Sequence, residues 1–352
     1  MRFISGLKKE NTSIVEKEEP TESYVEPQPQ EAIDLLPVKS GNRWGFIDMT
    51  GQIVIRPQFD SAHTFSEGLA RIRLDGKGGF IDKTGKIVIE PQFVDMFRFT
   101  EALAAVKPSD SWRFIDPAGA FVGGEKFDEV HPFHEGLARV KIGKKWGYAN
   151  SQGNVAIRPD FDKAADFSEG LAGVYVLDQW SFIDKSGTVI MTTKFNDDFA
   201  SPRFSEGLAL GRMTAGSGSH LAFMNRKGEI VSSLWSLASD FSEGLASVSA
   251  RSVDPLYAYI TKNGKFAIPH QFRYAEAFSE GLAAVQTIQS NGKWGFIDKT
   301  GKLIIESKFD YVLDMDLRFV LGFVSGLALV GIGGRHAYID MTGRCISFQT
   351  LD

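Results

Sequence analysis

Short apolar runs separated by polar turns recur along this chain every thirty-odd residues, and none within 36–348 keeps apolar spacing at a helical period for three turns. Residues 278–309 show the unit most completely. Leu282 to Val285 is one apolar run, and Asn291-Gly292 is a tight-turn dipeptide because both residues tolerate positive φ. Trp294, Phe296 and Asp298 then alternate with Gly295 and Ile297, which is strand periodicity. In Asp298-Lys-Thr-Gly301 the carboxylate can accept backbone N–H bonds and the glycine can close the turn. Leu303, Ile304 and Ile305 return, so the predicted unit is a three-stranded antiparallel meander.

The turn glycine recurs as Gly51, Gly85, Gly119, Gly153, Gly187, Gly228, Gly264, Gly301 and Gly343. Three residues before it stands Asp48, Asp82, Asp116, Asn150, Asp184, Asn225, Thr261, Asp298 or Asp340. Two residues earlier the position is always aromatic: Phe46, Phe80, Phe114, Tyr148, Phe182, Phe223, Tyr259, Phe296 and Tyr338. The first five glycines are 34 residues apart and the later intervals are longer, so insertions fall between units or at hairpin tips. A fixed period of this size marks a repeat array. The fold class is therefore all-β: nine tandem meanders over residues 36–352.

A Trp-Gly pair opens the aromatic strand at Trp44-Gly45, Trp146-Gly147 and Trp294-Gly295. On these residues, and on a consensus covering roughly residues 36–348, the chain resembles the bacterial WG-repeat family, also called KWG repeats. The departures are Gly78-Gly79, Trp112-Arg113, Trp180-Ser181, Leu221-Ala222, Tyr257-Ala258 and His336-Ala337. The second position stays small, as close packing against it requires; Arg113 is the exception and predicts a distorted third unit. The resemblance implies a binding or scaffolding module without a common catalytic motif.

Each connector carries two Phe, as in Phe59 and Phe65, which predicts rings pinning a polar loop to the core. Between units stand Glu67, Glu101, Glu135, Glu169, Glu206, Glu243 and Glu280, with Ser325 in the last place. They are read as acceptors of backbone N–H groups within their own loops. A bare carboxylate row gripping cations is the alternative, opposed by like-charge repulsion. Ser66, Ser168, Ser205, Ser242 and Ser279, just before them, are read as turn residues.

Composition narrows the function classes. A formal net charge of −5 gives no footing for sequence-independent nucleic-acid binding. No apolar run approaches the ~20 residues of a membrane helix, and the single Cys345 excludes an internal disulfide. The N-terminus lacks a signal peptide's apolar region, so the chain is expected in the cytoplasm. Residues 1–35 are Glu- and Pro-rich and predict a disordered acidic arm.

Chemistry-bearing patterns are sparse. Gly331-Ile-Gly-Gly334 lacks the Lys-Ser/Thr of a phosphate loop and is a hairpin tip. His131-Pro-Phe-His134 has ligand-like spacing without a third ligand, and no serine sits in a nucleophile elbow. The expectations are no catalytic residue, no cofactor and no metal. Because each terminus completes its own unit, an open twisted solenoid is expected, with a closed propeller-like ring as the alternative. The functional expectation is a non-enzymatic adaptor with an unidentified protein partner, meeting it around Arg212, His220, Tyr311 and Arg318, where the sequence leaves the consensus. The alternative is a glycan- or envelope-binding module using exposed aromatics.

Overall fold

The computed structural model describes residues 35–196, 201–215, 218–250, 255–313 and 322–349; the acidic arm, but for Leu35, lies outside them. Leu35 itself is buried in the first core. Every regular element among the described residues is a β-strand, and all pairing is antiparallel between neighbours in sequence.

The first unit is the predicted meander, β1 (Leu36–Ser40), β2 (Arg43–Ile47) and β3 (Ile53–Phe59). The second unit adds a strand: β4 (Ser61–Ser66) precedes β5 (Leu69–Leu74), β6 (Lys77–Ile81) and β7 (Ile87–Phe93) in one sheet. The connector is therefore partly a strand, and all later units repeat this. Units seven and eight share one seven-stranded sheet because Phe266–Ala275 runs through both.

The connector strand forms because it carries the lid of the preceding core. The second connector Phe packs on the central aromatic of the unit before it, with ring centroids 5.0 Å apart for Phe46–Phe65, 4.9 Å for Phe80–Phe99 and 4.9 Å for Phe296–Phe323. Cores consequently lie between sheets. Tyr148 and Ile157 of unit four, for example, share one cluster with Ala164, Phe167, Val174 and Ile183 of unit five. A single unit has no such cover, and each buried Phe contributes about 2–3 kcal/mol.

The Trp-Gly glycine is required by the strand that follows it. Register slips there, Trp44 pairing with Phe59 but Phe46 with Ile55, so the bulged strand crosses directly over Gly45. A Cβ would lie 2.3 Å from the Ile55 carbonyl oxygen at Gly45, 2.4 Å from that of Ile157 at Gly147, and 2.6 Å from that of Ile305 at Gly295. Unit three departs from this arrangement. Arg113 faces a strand reading Gly123-Gly124, donates to the Gly123 carbonyl at 3.3 Å, and lays its guanidinium 3.8 Å from the centre of the Phe121 ring.

In the hairpin loops the Asp reads as predicted. The Asp48 carboxylate accepts from the amides of Thr50 and Gln52 at 2.8 and 3.0 Å, and Asp298 repeats the arrangement with Thr300 and Lys302. The turn glycine packs on the preceding unit: Gly85 on Ile55, Gly187 on Ile157, Gly301 on Ile268.

The all-β tandem array is thus as expected, and the relation of its ends can be read from the same contacts. Gly51 of unit one packs on Ile346 of unit nine, continuing the series. Leu36, Val38 and Ile47 share a buried cluster with Leu327, Leu329 and Tyr338, whose hydroxyl donates to the Pro37 carbonyl at 3.1 Å. Of the two arrangements, these contacts are those of the ring. Among the described residues it is closed by sheets packing together, with no hydrogen-bonded strand pair between the first and last units.

Candidate functional site

Antiparallel hairpins place alternate turns at opposite ends of a sheet, and the two ends differ in chemistry. At one end stand the Ser-Glu-Gly turns. Each Glu has φ of 52–55° and is followed in six of the seven by a Gly, also at positive φ, which is the tight turn favoured by strand twist. The carboxylates do not bond within their own loops, as the sequence suggested. They reach forward one unit: Glu67 accepts from the Glu101 and Ala102 amides at 2.7 and 2.8 Å, Glu101 from Gly136, Glu135 from Gly170, and so on to Glu280, which accepts from Ser325 and Gly326. The serines act likewise. The Ser66 hydroxyl donates to the Phe99 carbonyl at 2.7 Å and that of Ser242 to the Phe278 carbonyl at 2.7 Å.

Bases compensate part of this row. Glu135, Glu169, Glu206 and Glu243 pair with Lys185, Arg226, Lys262 and Lys299, the last three at 2.9 Å. For Glu243, burial raises the carboxyl pKa, but Lys299 and the Gly281 amide outweigh it and hold the value below the usual range. These groups are engaged with one another, so this end is built for cohesion.

The opposite end breaks the repeat's rules in units five and six. The unit-five tip is Leu177-Asp178, both at positive φ (51° and 61°), and Leu177 is 90% exposed. A branched apolar side chain in that conformation is unfavourable both in strain and in hydration. In other units a connector Asp ties the tip, as Asp128 does for the Gly143 amide at 2.6 Å. Beside Leu177 a cavity of about 390 Å³ is lined by Phe161, Val174, Val176, Gln179, Ser181 and Val189 among others. Leu234 of unit six, at φ 74°, is 69% exposed.

Of the residues singled out from the sequence, Arg212 and His220 lie on one long hairpin of unit six, Arg212 opposite Leu221 and Met213 opposite His220. Tyr311 is in unit nine, packed edge-on to His336 with centroids 5.5 Å apart and filling the space over Gly331. No sheet joins it to that hairpin. Arg318 lies outside the described residues. Leu177 was not singled out; its signal is a leucine where most other tips carry Gly. His131 and His134 hold no common ligand geometry: His134 approaches Asp166 at 3.8 Å, and His131 lies against Phe97 and Trp146. No group of three metal-ligating side chains occurs among the described residues. Nor, among them, is any helix long and apolar enough to cross a membrane.

Architecture and site together define a β-repeat protein whose units are fastened to one another along one end and varied at the other. The WG containing repeat model matches residues 44–77, 79–108, 112–146, 146–178, 222–250, 257–287 and 294–335, and the chain belongs to this family. The gap at 179–221 begins just after the Leu177-Asp178 tip and takes in Arg212 and His220. No curated protein matches the chain. Among solved structures it is similar to a eukaryotic initiation factor, at 10% identity and a TM-score of 0.49 over 91% of this chain and 85% of that one. It is also similar to BamB from Moraxella catarrhalis, at 11% identity and a TM-score of 0.44 over 71% of this chain and 92% of that one.

Proposed function

We propose that the array is a non-enzymatic adaptor that holds a protein partner at the free ends of units five and six. The observation that carries this is Leu177: strained, untied and almost wholly exposed beside an apolar cavity, at the edge of the stretch 179–221 that the repeat model leaves unmatched. Neither folding nor solubility favours a leucine there, whereas a contact surface does. The Arg212–His220 hairpin belongs to the adjacent unit and extends the same end. For the glycan alternative fewer rings are on offer, because Trp112, Trp180 and Trp294 are buried and the other tryptophans half-buried, which leaves Phe121, Phe266 and Tyr274 as the exposed aromatics among the described residues.

The test is affinity capture with the full chain, comparing wild type with Leu177→Asn. Asparagine tolerates the left-handed conformation, so the fold is expected to keep or gain thermal stability while a stoichiometric partner is lost. Retention of that partner by the variant, or turnover of any substrate by the purified protein, would overturn the proposal.

A further inference from the structure

Units four and eight present the same positions with opposite chemistry. In unit four, Glu129 and His131 lie on one face of the connector strand, and Arg139 and Lys141 stand beside them on the next strand, with Glu129 opposite Lys141. The two cations lie 5.5 and 5.3 Å from the Trp146 ring centre, and both are neutralised internally, Arg139 by Asp166 at 2.6 Å and Lys141 by Glu129. The slot over the tryptophan is filled by the protein's own charge.

In unit eight the equivalents are Tyr274, Glu276, Ala284 and Gln286, with Tyr274 opposite Gln286 and Trp294 in the tryptophan place. Both cations are gone. Three rings remain in a row, Tyr257 to Tyr274 at 6.3 Å and Tyr274 to Trp294 at 6.0 Å, with interplanar angles of 29° and 34°. Tyr274 is 49% exposed. On the same strand face, Glu276 is largely buried, and among the described residues no charged group offsets that burial, which pushes its carboxyl up to about 7. An aromatic face with an uncompensated carboxylate beside it is the chemistry that recognises organic cations.

We propose that unit eight is a cation-binding site, taking the guanidinium or ammonium group of a partner's arginine or lysine over Tyr274 with Glu276 as counter-charge. Unit four supplies the precedent, with its own arginine and lysine in the place the ligand would take. The site is separate from the Leu177 surface and stands or falls independently of it.

The test is a titration of the full chain with N-acetyl-arginine methylamide, followed by NMR at the Tyr257 and Tyr274 ring resonances. A saturable shift is expected, absent with the uncharged N-acetyl-citrulline methylamide. Glu276→Gln and Gln286→Lys should each weaken it at least tenfold, the first by removing the counter-charge and the second by furnishing an internal cation. Glu306→Gln, on an exposed strand position, should leave it unchanged. Glu276→Gln removes a poorly solvated charge, so the variant should melt no lower than wild type and a lost shift is not unfolding. Absence of a saturable shift, equal affinity in Glu276→Gln, or a response to choline but not to the arginine probe would each overturn the proposal.

Discussion

Eight interfaces join successive units and one joins the last to the first, and they are not made alike. Each of the eight has a connector strand and a ring lid such as Phe99 on Phe80, and the seven from unit two onward add hydrogen bonds from a Ser-Glu turn, or a variant of it, to the next turn. The ninth has the turn glycine on its isoleucine and a shared apolar cluster, but the tyrosine hydroxyl on Pro37 replaces the ring lid. Unit nine correspondingly reads Val324-Ser325 where the others read Ser-Glu or a close variant. The side chains that reach forward were dispensable where unit one presents no connector strand among the described residues to receive them.

Removing a ring lid should separate the two kinds of interface most sharply. Phe99→Ala empties a fully buried site and should cost about 3–5 kcal/mol by chemical denaturation. Next, Glu206→Ala deletes the carboxylate that holds the Gly244 amide, for about 1–2 kcal/mol. Tyr338→Phe acts only at the closing interface. It should cost about 1 kcal/mol, with faster amide exchange confined to the first and last units.

Acid should discriminate the same way. Glu135 and Glu243 have carboxyl pKa values below the usual 4.5, since backbone amides and lysines outweigh the burial that raises them. A depressed folded-state value contributes stability above the unfolded value that disappears as pH falls through the folded one. Interior interfaces should therefore loosen below about pH 4.5, whereas the closing cluster, which is apolar, should not respond. Exchange measured unit by unit across that range checks this. The smallest effect is expected of Ser325→Glu, within about 0.5 kcal/mol of wild type, because a restored carboxylate finds no turn ahead of it.

Nine units, the ever-aromatic position and the Asp–Gly turns were legible because each is set by residues a few positions apart. The connector strand was not, since pairs as short as Asp95–Met96 carry no periodicity and a polar run between two Phe looks like a loop. Nor was the target of the glutamates, which lies some 34 to 46 residues onward where no local rule points. Closure depends on Pro37 meeting Tyr338, 301 residues apart. The break at Val324-Ser325 was its one visible trace. At the irregular end, Arg212 and His220 were singled out because the consensus lapses there, while Leu177 lies inside a hairpin of ordinary length.

The glycines under the bulged strand bear on how such chains diverge. Tryptophan gives way to Gly78, Leu221, Tyr257 and His336, yet its neighbour stays small except at Arg113, where the facing strand becomes Gly123-Gly124. What descends from copy to copy is thus a close passage of two backbones rather than a letter, and the one unit with a large residue there carries glycines on the facing strand. Substituting both partners of such a pair should be tolerated where changing one is not, so relatives would be found by tracing compensated pairs rather than tryptophans.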